Sequence, residues 1–474
     1  AGARQAGEPE HAGPVAAEPL ARGAVDRQFL VVDVGGAAQA VQHPSRAELE
    51  AAKAAVVQTG VSQVTISKLG GRVLSLKLNE YKSQLRSEEG LDLIDNPDGS
   101  VFPLGVYAGT ESDERVMYSL VSVNGAPVTQ PSATIAVPQG ASVVLELKGA
   151  LPSGSEVTKK ITFRGGSYLF SVDAAVSRRL PDGQAVWLEW THLFPQSAEN
   201  GRTRVSHITL LDGAGKIKQV ALTDVVEGPR GFGATKWAAL GDLYFMSTII
   251  PLAQGSNTVL GREGEVYAAR EPGGSENARF EVYSGPKDYK TLQYVGDFHL
   301  ERTIDLGWFS FLALPLLWLL HYLYLYLHNY GVAIIALTLL IKTALLPLSK
   351  ASFASMKKMQ EVQPEIKALR ERVKDPTQLN QEMLALYQRR GINPMGGCFP
   401  IAIQIPVFFA LYSLFRSMIE MDMQSFLWIK DLSLPDASLT RVFDNVKAAK
   451  LIPADTPFDR AKFIDESYLQ ESRK

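Results

Sequence analysis

Two apolar runs dominate what this chain can become. Residues 330–348 (YGVAIIALTLLIKTALLPL) and 391–412 (GINPMGGCFPIAIQIPVFFALY) are each long enough to cross a bilayer. Between them, residues 349–390 hold nine Lys/Arg against five Asp/Glu. Basic loops stay on the cytoplasmic side, so this segment is expected in the cytoplasm with a span on either side of it. The first run carries one lysine, Lys342. A cation inside an apolar span points to a membrane protein that handles polar material within lipid.

The rest of the chain reads differently. Residues 1–28 are rich in Ala, Gly, Pro and charge with no apolar period, and residues 1–57 are expected to form a disordered or poorly ordered arm. Residues 58–305 look all-β. In 143–148 (VVLELK), Val143, Leu145 and Leu147 share one face while Glu146 and Lys148 share the other; 168–173 (YLFSVD) alternates in the same way. Gly70-Gly71, Gly165-Gly166 and Asp212-Gly213 read as turns. Many short strands over this length predict a large antiparallel sandwich.

A third apolar stretch, residues 308–327 (WFSFLALPLLWLLHYLYLYL), has two readings. Its length suffices to span. Its Trp and Tyr content suits a helix lying in the interface. Only His328 and Asn329 separate it from the next run, too short a link for two antiparallel spans, so the interfacial reading is preferred. The expected order is then a β domain at 58–305, an interfacial helix at 306–328, a span at 329–348, a cytoplasmic helical hairpin at 349–396, a span at 397–420 and a polar tail at 421–474. With one crossing between them, the β domain and the hairpin lie on opposite sides of the membrane.

Within the hairpin, Met356, Met359, Val362, Ile366, Leu369 and Val373 recur at helical spacing, and Pro364 predicts a kink or restart. Asp375-Pro376 breaks the pattern and can cap a second helix, whose apolar face is Leu379, Met383, Leu386 and Tyr387 and which Gly391 can end. The hairpin is either a solvated loop with Met in its core, or a mobile docking surface for a nascent chain or anionic headgroups, built on Met356, Lys357, Lys358, Met359 and Met383.

Lys342 lies six positions before Leu348, roughly 9 Å inside the span at helical rise. It either snorkels to the cytoplasmic interface or faces a hydrated cavity, with Thr338 one turn away on its face. Gln404 is the matching polar residue of the second run; its alternative role is an interhelical hydrogen bond. Arg416 and Glu420, four apart, are expected to pair. The net charge of −2 predicts no nucleic-acid partner, the single Cys398 allows no intrachain disulfide, and seven scattered histidines show no metal-ligand spacing. There is no P-loop, and no cofactor or metal is expected.

The stretches 393–412 (NPMGGCFPIAIQIPVFFALY), 362–373 (VQPEIKALRERV), 345–360 (LLPLSKASFASMKKMQ) and DLGW at 305–308 together resemble the YidC/Oxa/Alb family of membrane protein insertases, in its Gram-negative form. Weaker resemblance runs through 64–76, 159–176 and 283–292, so that about residues 60 to 433 are covered. The resemblance implies a periplasmic β-supersandwich related in shape to galactose-mutarotase folds and an interfacial helix at 308–327. It also implies a hydrophilic groove, open to cytoplasm and lipid, in which Lys342 takes the place of the family's cation. The hairpin would be the family's first cytoplasmic loop, close to the ribosome and signal recognition components. Implied partners are nascent inner-membrane proteins, lipids and the Sec translocon, in the bacterial inner membrane.

The family pattern also has a span before the β domain and three after the second run, none of which is seen in this sequence. A second expectation is therefore an inactive two-span fragment. A third is a membrane-anchored sugar-binding or mutarotase-like protein. That protein would need an acid/base pair such as Glu189 and His192, which an alternating strand would place on opposite faces.

Overall fold

The computed structural model describes residues 43–82, 89–94, 96, 101–128, 132–194, 206–253, 257–373, 375–391, 399–422, 424–429 and 431–433. Expectations for residues 1–42, for Cys398 and for the tail beyond 433 lie outside these.

The β domain starts earlier than the sequence suggested. Ser45 caps helix α1 (Arg46–Ala51): its hydroxyl accepts from the Glu48 amide, and the Glu48 carboxylate accepts from the Ser45 amide at 2.7 Å. This reciprocal pair satisfies two otherwise orphaned donors. Leu49 is driven into the core, and the chain continues directly into the strand Lys53–Gln58. That strand pairs antiparallel with Ser62–Ser67 and parallel with Ala133–Ala136. Residues 43–57 are thus folded, not part of an arm. They escaped a periodicity reading because Ala54, Ala55 and Val57 are all buried, so the strand does not alternate.

Twenty described strands between residues 53 and 286 form a five-stranded and a fifteen-stranded sheet. Apart from the 53–58/133–136 pair, the described ladders are antiparallel. Strand Ser142–Ala150 buries Val143, Leu145 and Leu147, as its alternation predicts. It pairs with Glu156–Arg164, which pairs with Leu169–Val176, which in turn pairs with Asn277–Pro286. Phe163, Phe170, Trp190 and Val282 meet in one continuous core from these inward faces.

Charge is buried beneath the Gly70-Gly71 turn. Both glycines have positive φ (67° and 57°), and a Cβ on Gly71 would stand 3.1 Å from the Lys159 side chain. The turn must be side-chain-free because the Lys159 ammonium donates to Gly70 O and Leu104 O, both at 2.7 Å, and pairs with Asp113 at 2.5 Å.

A clamped connector carries the chain to the helices. Helix α2 (Tyr289–Tyr294) is capped by Asp288, which accepts from the Thr291 amide at 2.9 Å. Leu292 and Leu300 pack with Trp237 and Tyr283, and Trp237 Nε1 donates to Phe298 O at 2.9 Å. Four helices follow: α3 (Ser310–Leu327), α4 (Tyr330–Arg372), α5 (Pro376–Arg389) and α6 (Phe399–Ser417).

Helix α4 is continuous through both Pro347 and Pro364, so there is no restart at Pro364, and the span and the hairpin arm belong to one 43-residue helix. An interior proline removes one hydrogen bond at a cost of about 3 kcal/mol. Beside Pro364, Val362 is buried and Glu365 is bound by Arg390. Asp375 caps α5 by accepting from the Thr377 amide, with Pro376 in its first turn, and Gly391 (φ 61°) follows the helix end.

Candidate functional site

The helices meet at one end. His328 adopts a left-handed conformation (φ 50°) and Asn329 caps α4 by accepting from the Val332 amide at 3.1 Å, turning the chain sharply between α3 and α4. Ala313, Leu316, Leu317 and Leu320 of α3 then bury against Tyr330, Ala333 and Leu337 of α4 and Ala410 and Leu414 of α6. The buried stripe on α4 reaches Leu337 and is only half-buried at Ile341. A partner lying alongside the whole span would have extended it to Leu348. Helix α3 therefore packs across the first turns of α4 and the last turns of α6.

Trp308, just before α3, and Phe311, Trp318, Tyr322, Leu325 and Tyr326 of the helix are exposed. Trp318 stacks on Tyr322 with centroids 5.7 Å apart, and Tyr326 donates to the Tyr322 hydroxyl at 3.3 Å. Amphipathic aromatics of this kind prefer the headgroup level. By length and apolar character α3 and α4 could each cross a membrane, and α6 contributes the apolar stretch Ala402–Ser417.

Thr338 and Lys342 are exposed on α4, one turn apart on the same face. At 100° per residue they sit about 100° and about 140° around from Leu337. Gln404 is exposed on α6, about 120° around from the buried Ala410. Along its own helix Lys342 lies about 7.5 Å beyond the buried Leu337, and Gln404 about 9 Å before the buried Ala410. Among the described residues no ion pair or hydrogen bond joins Lys342, Thr338 and Gln404.

In the hairpin, Arg372 pairs with Glu382 at 2.9 Å and Arg390 with Glu365, tying α4 to α5 at both ends. Met359 and Met383 are half-buried on the facing sides of the two helices, together with Ile366, Leu369, Leu379 and Leu386. Met356, Lys357 and Lys358 are exposed, next to an exposed Phe353. The five residues named from the sequence thus divide. Three lie on an open basic and apolar surface, and two lie between the helices.

Glu420 does not pair with Arg416. Helix α6 ends at Ser417, which breaks the four-residue spacing, and Glu420 reaches His321 of α3 instead at 2.8 Å. Sequence spacing could not reveal this pair, since its members are 99 residues apart. Glu189 and His192 likewise form no acid/base pair. Glu189 is buried against Arg270 at 2.5 Å and Arg72 at 3.8 Å, and His192 packs on Phe194.

A large β domain leading into long apolar helices and a basic helical hairpin defines an integral membrane protein with a folded domain on one side of the bilayer. Comparison with known proteins specifies which. Residues 54–319 match the YidC periplasmic domain and residues 322–456 match the 60Kd inner membrane protein family, the second match running past the expected end of resemblance at 433. The chain is 33% identical over 419 residues to the membrane protein insertase YidC of Geobacter metallireducens, covering 84% of this chain and 76% of that protein. It is 31% identical to that of Pelobacter propionicus (90% and 79%) and 32% identical to that of Haemophilus ducreyi (81% and 73%).

The chain belongs to the YidC family of membrane protein insertases. It is an inner-membrane protein with a periplasmic β domain, it acts on inner-membrane proteins, and it is not an enzyme. Among solved structures, a galactose mutarotase related enzyme from Lactobacillus acidophilus is 9% identical, with a TM-score of 0.28 over 48% of this chain and 96% of that one. A GH36 alpha-galactosidase from Geobacillus stearothermophilus is 11% identical, with a TM-score of 0.28 over 49% and 40%. Likeness at that level says nothing of a sugar-directed function.

Proposed function

We propose that insertion runs through a polar groove between α4 and α6 in which Lys342 is the fixed cation, flanked by Thr338 and Gln404. The observation that carries this is that Thr338 and Lys342 on α4 and Gln404 on α6 are exposed polar residues on two apolar helices whose buried residues pack together with α3. A substrate helix must pass its short polar outer segment through hydrocarbon, where each unsatisfied backbone group costs several kcal/mol. Water reaching partway across thins that barrier. A cation there attracts acidic groups of the passing segment, more strongly than in bulk water because the surroundings polarise less. The apolar part of the substrate then moves into lipid, and its burial drives the process. A lysine offers a point charge and no fork, so it holds a carboxylate without fixing its orientation.

The exposed Met356, Lys357 and Lys358, with Phe353, form the docking surface of the hairpin in this reading, for anionic headgroups, the ribosome or signal recognition components. The Sec translocon is a further partner. Reconstituted Lys342→Ala protein is expected to insert a single-span substrate with an acidic outer tail several-fold more slowly, and one with a neutral tail at the normal rate. Equal rates for Lys342→Ala and the unmodified chain on the acidic substrate would sink the groove reading.

A further inference from the structure

Beyond α6 the chain is fastened at several points. Ile419 is buried in the core of the β domain, and Met421 in the core shared by α3, α4 and α6. The Gln424 carbonyl accepts from the Leu432 amide at 2.8 Å, and the Ser433 hydroxyl donates to the Asp431 carboxylate at 2.7 Å. Phe426 and Ile429 exchange amide–carbonyl hydrogen bonds, each 2.9 Å, which close a two-residue turn. The Phe426 ring lies so close to Gly331, in the first turn of α4, that no Cβ fits between them. The turn is thereby held at the start of α4 and beyond the end of α6, the ends of both apolar helices that lie next to the periplasmic β domain.

The two central residues of this turn stand out from it. Leu427 and Trp428 are each 74% exposed. Leu427 holds φ at 52°, a left-handed conformation that suits glycine and crowds a bulky side chain. A strained backbone therefore presents a large apolar side chain beside an indole, and exposing both to water gains the fold nothing. Area separates the surfaces that could cover them. A stable protein interface takes about 800 Å² from each partner, whereas one Trp and one Leu offer on the order of 300 Å². A lipid leaflet sets no such threshold, because the apolar helices already hold the chain in the membrane and the turn stands at their ends. Trp favours the boundary between headgroups and acyl chains, where its ring meets hydrocarbon and its N–H meets water.

We propose that the Leu427–Trp428 turn inserts into the headgroup–acyl boundary of the periplasmic leaflet and fixes the depth at which the outer ends of α4 and α6 sit. The two side chains carry no charge, so the contact is with the apolar boundary and not with a particular headgroup. Phe426 transmits the anchor to α4 through Gly331, and Ile419 transmits it to the β domain. This rests on the membrane placement of the family and not on the groove around Lys342.

The test uses the full chain in lipid nanodiscs, in a Cys398→Ser background. An NBD dye is placed on Ser425→Cys beside the tip and, as a water reference, on Thr110→Cys of the β domain; both positions are exposed. With Leu427 and Trp428 in place, the dye at 425 is expected to be quenched more by lipids spin-labelled near the headgroup than by lipids labelled at the chain end. It is also expected to be shielded from iodide relative to the dye at 110. Leu427→Gly with Trp428→Ser keeps the turn, because glycine fits a φ of 52°, and is expected to cut lipid quenching about twofold or more without lowering the melting temperature. Trp428→Tyr is expected to preserve the quenching. Iodide quenching at 425 equal to that at 110 would place the turn in water. A dye shielded from iodide and lipid alike would place it against another helix or a second copy of the chain. Lipid quenching that survives the double substitution would remove the tip from the contact. Each of these results overturns the proposal, and the first two need no variant of the tip. No insertion step is measured, so failure here leaves the Lys342 reading standing, and failure of the Lys342 prediction leaves the lipid contact measurable.

Discussion

Glu271 accepts hydrogen bonds from Thr258 at 2.7 Å and Thr235 at 3.1 Å, and its second oxygen has no partner among the described residues. Burial pushes its carboxyl up to about 8, only partly offset by the two threonines. The folded chain therefore holds a proton at neutral pH that the unfolded chain gives up at ordinary carboxylate pH. The contribution of Glu271 to stability is full below about pH 4.5, falls as pH rises to about 8 and then levels off, a loss on the order of 5 kcal/mol by pH 9. Glu271→Gln keeps the shape without the charge, so its melting temperature is expected to exceed that of the unmodified chain at pH 9 and to match it near pH 5. An unmodified chain equally stable at both pH values would contradict the assignment. Nothing near Glu271 in sequence marks it: strand 266–272 alternates as a half-buried strand does, and the burial comes from Thr235 and Thr258 on other strands. The same holds for Lys159, whose anion, Asp113, and whose carbonyl acceptors on residues 70 and 104 are all far along the chain.

At the scale of elements, local signals located what local physics decides. Asp375-Pro376 marked the start of α5 because an Asp side chain reaches the amide two residues on, and proline fits the first turn. The His328-Asn329 link forced a sharp corner because two residues allow nothing else. Pro364 did not restart the helix: α4 continues through it to Arg372. The corner between α4 and the segment after α6 depends on a residue with no side chain: a Cβ on Gly331 would fall 2.1 Å from the Phe426 ring. Gly331→Val is expected to displace that ring and destabilise the helical unit by about 1–3 kcal/mol, read as a lower melting temperature in detergent. An unchanged melting temperature would mean the Phe426 contact does not hold the helices.

For the whole molecule, the basic hairpin and the periplasmic domain should lie on opposite sides of the membrane. In a Cys398→Ser background, Thr110→Cys in the β domain is expected to react with an impermeant maleimide once the outer membrane is opened. Lys357→Cys is expected to react only after the inner membrane is lysed. Labelling of both before lysis would reverse the topology. The apolar runs, the basic hairpin between them and the strand alternation of residues 143–148 and 168–173 could all be read from the chain, because lipid partitioning and the two-residue period of a strand act on neighbours. The division of the hairpin residues, the His321–Glu420 pair and the buried Lys159–Asp113 pair could not. Each joins residues tens to hundreds of positions apart. Which of them meet is settled by how sheets register and helices pack, and only the folded chain contains that information.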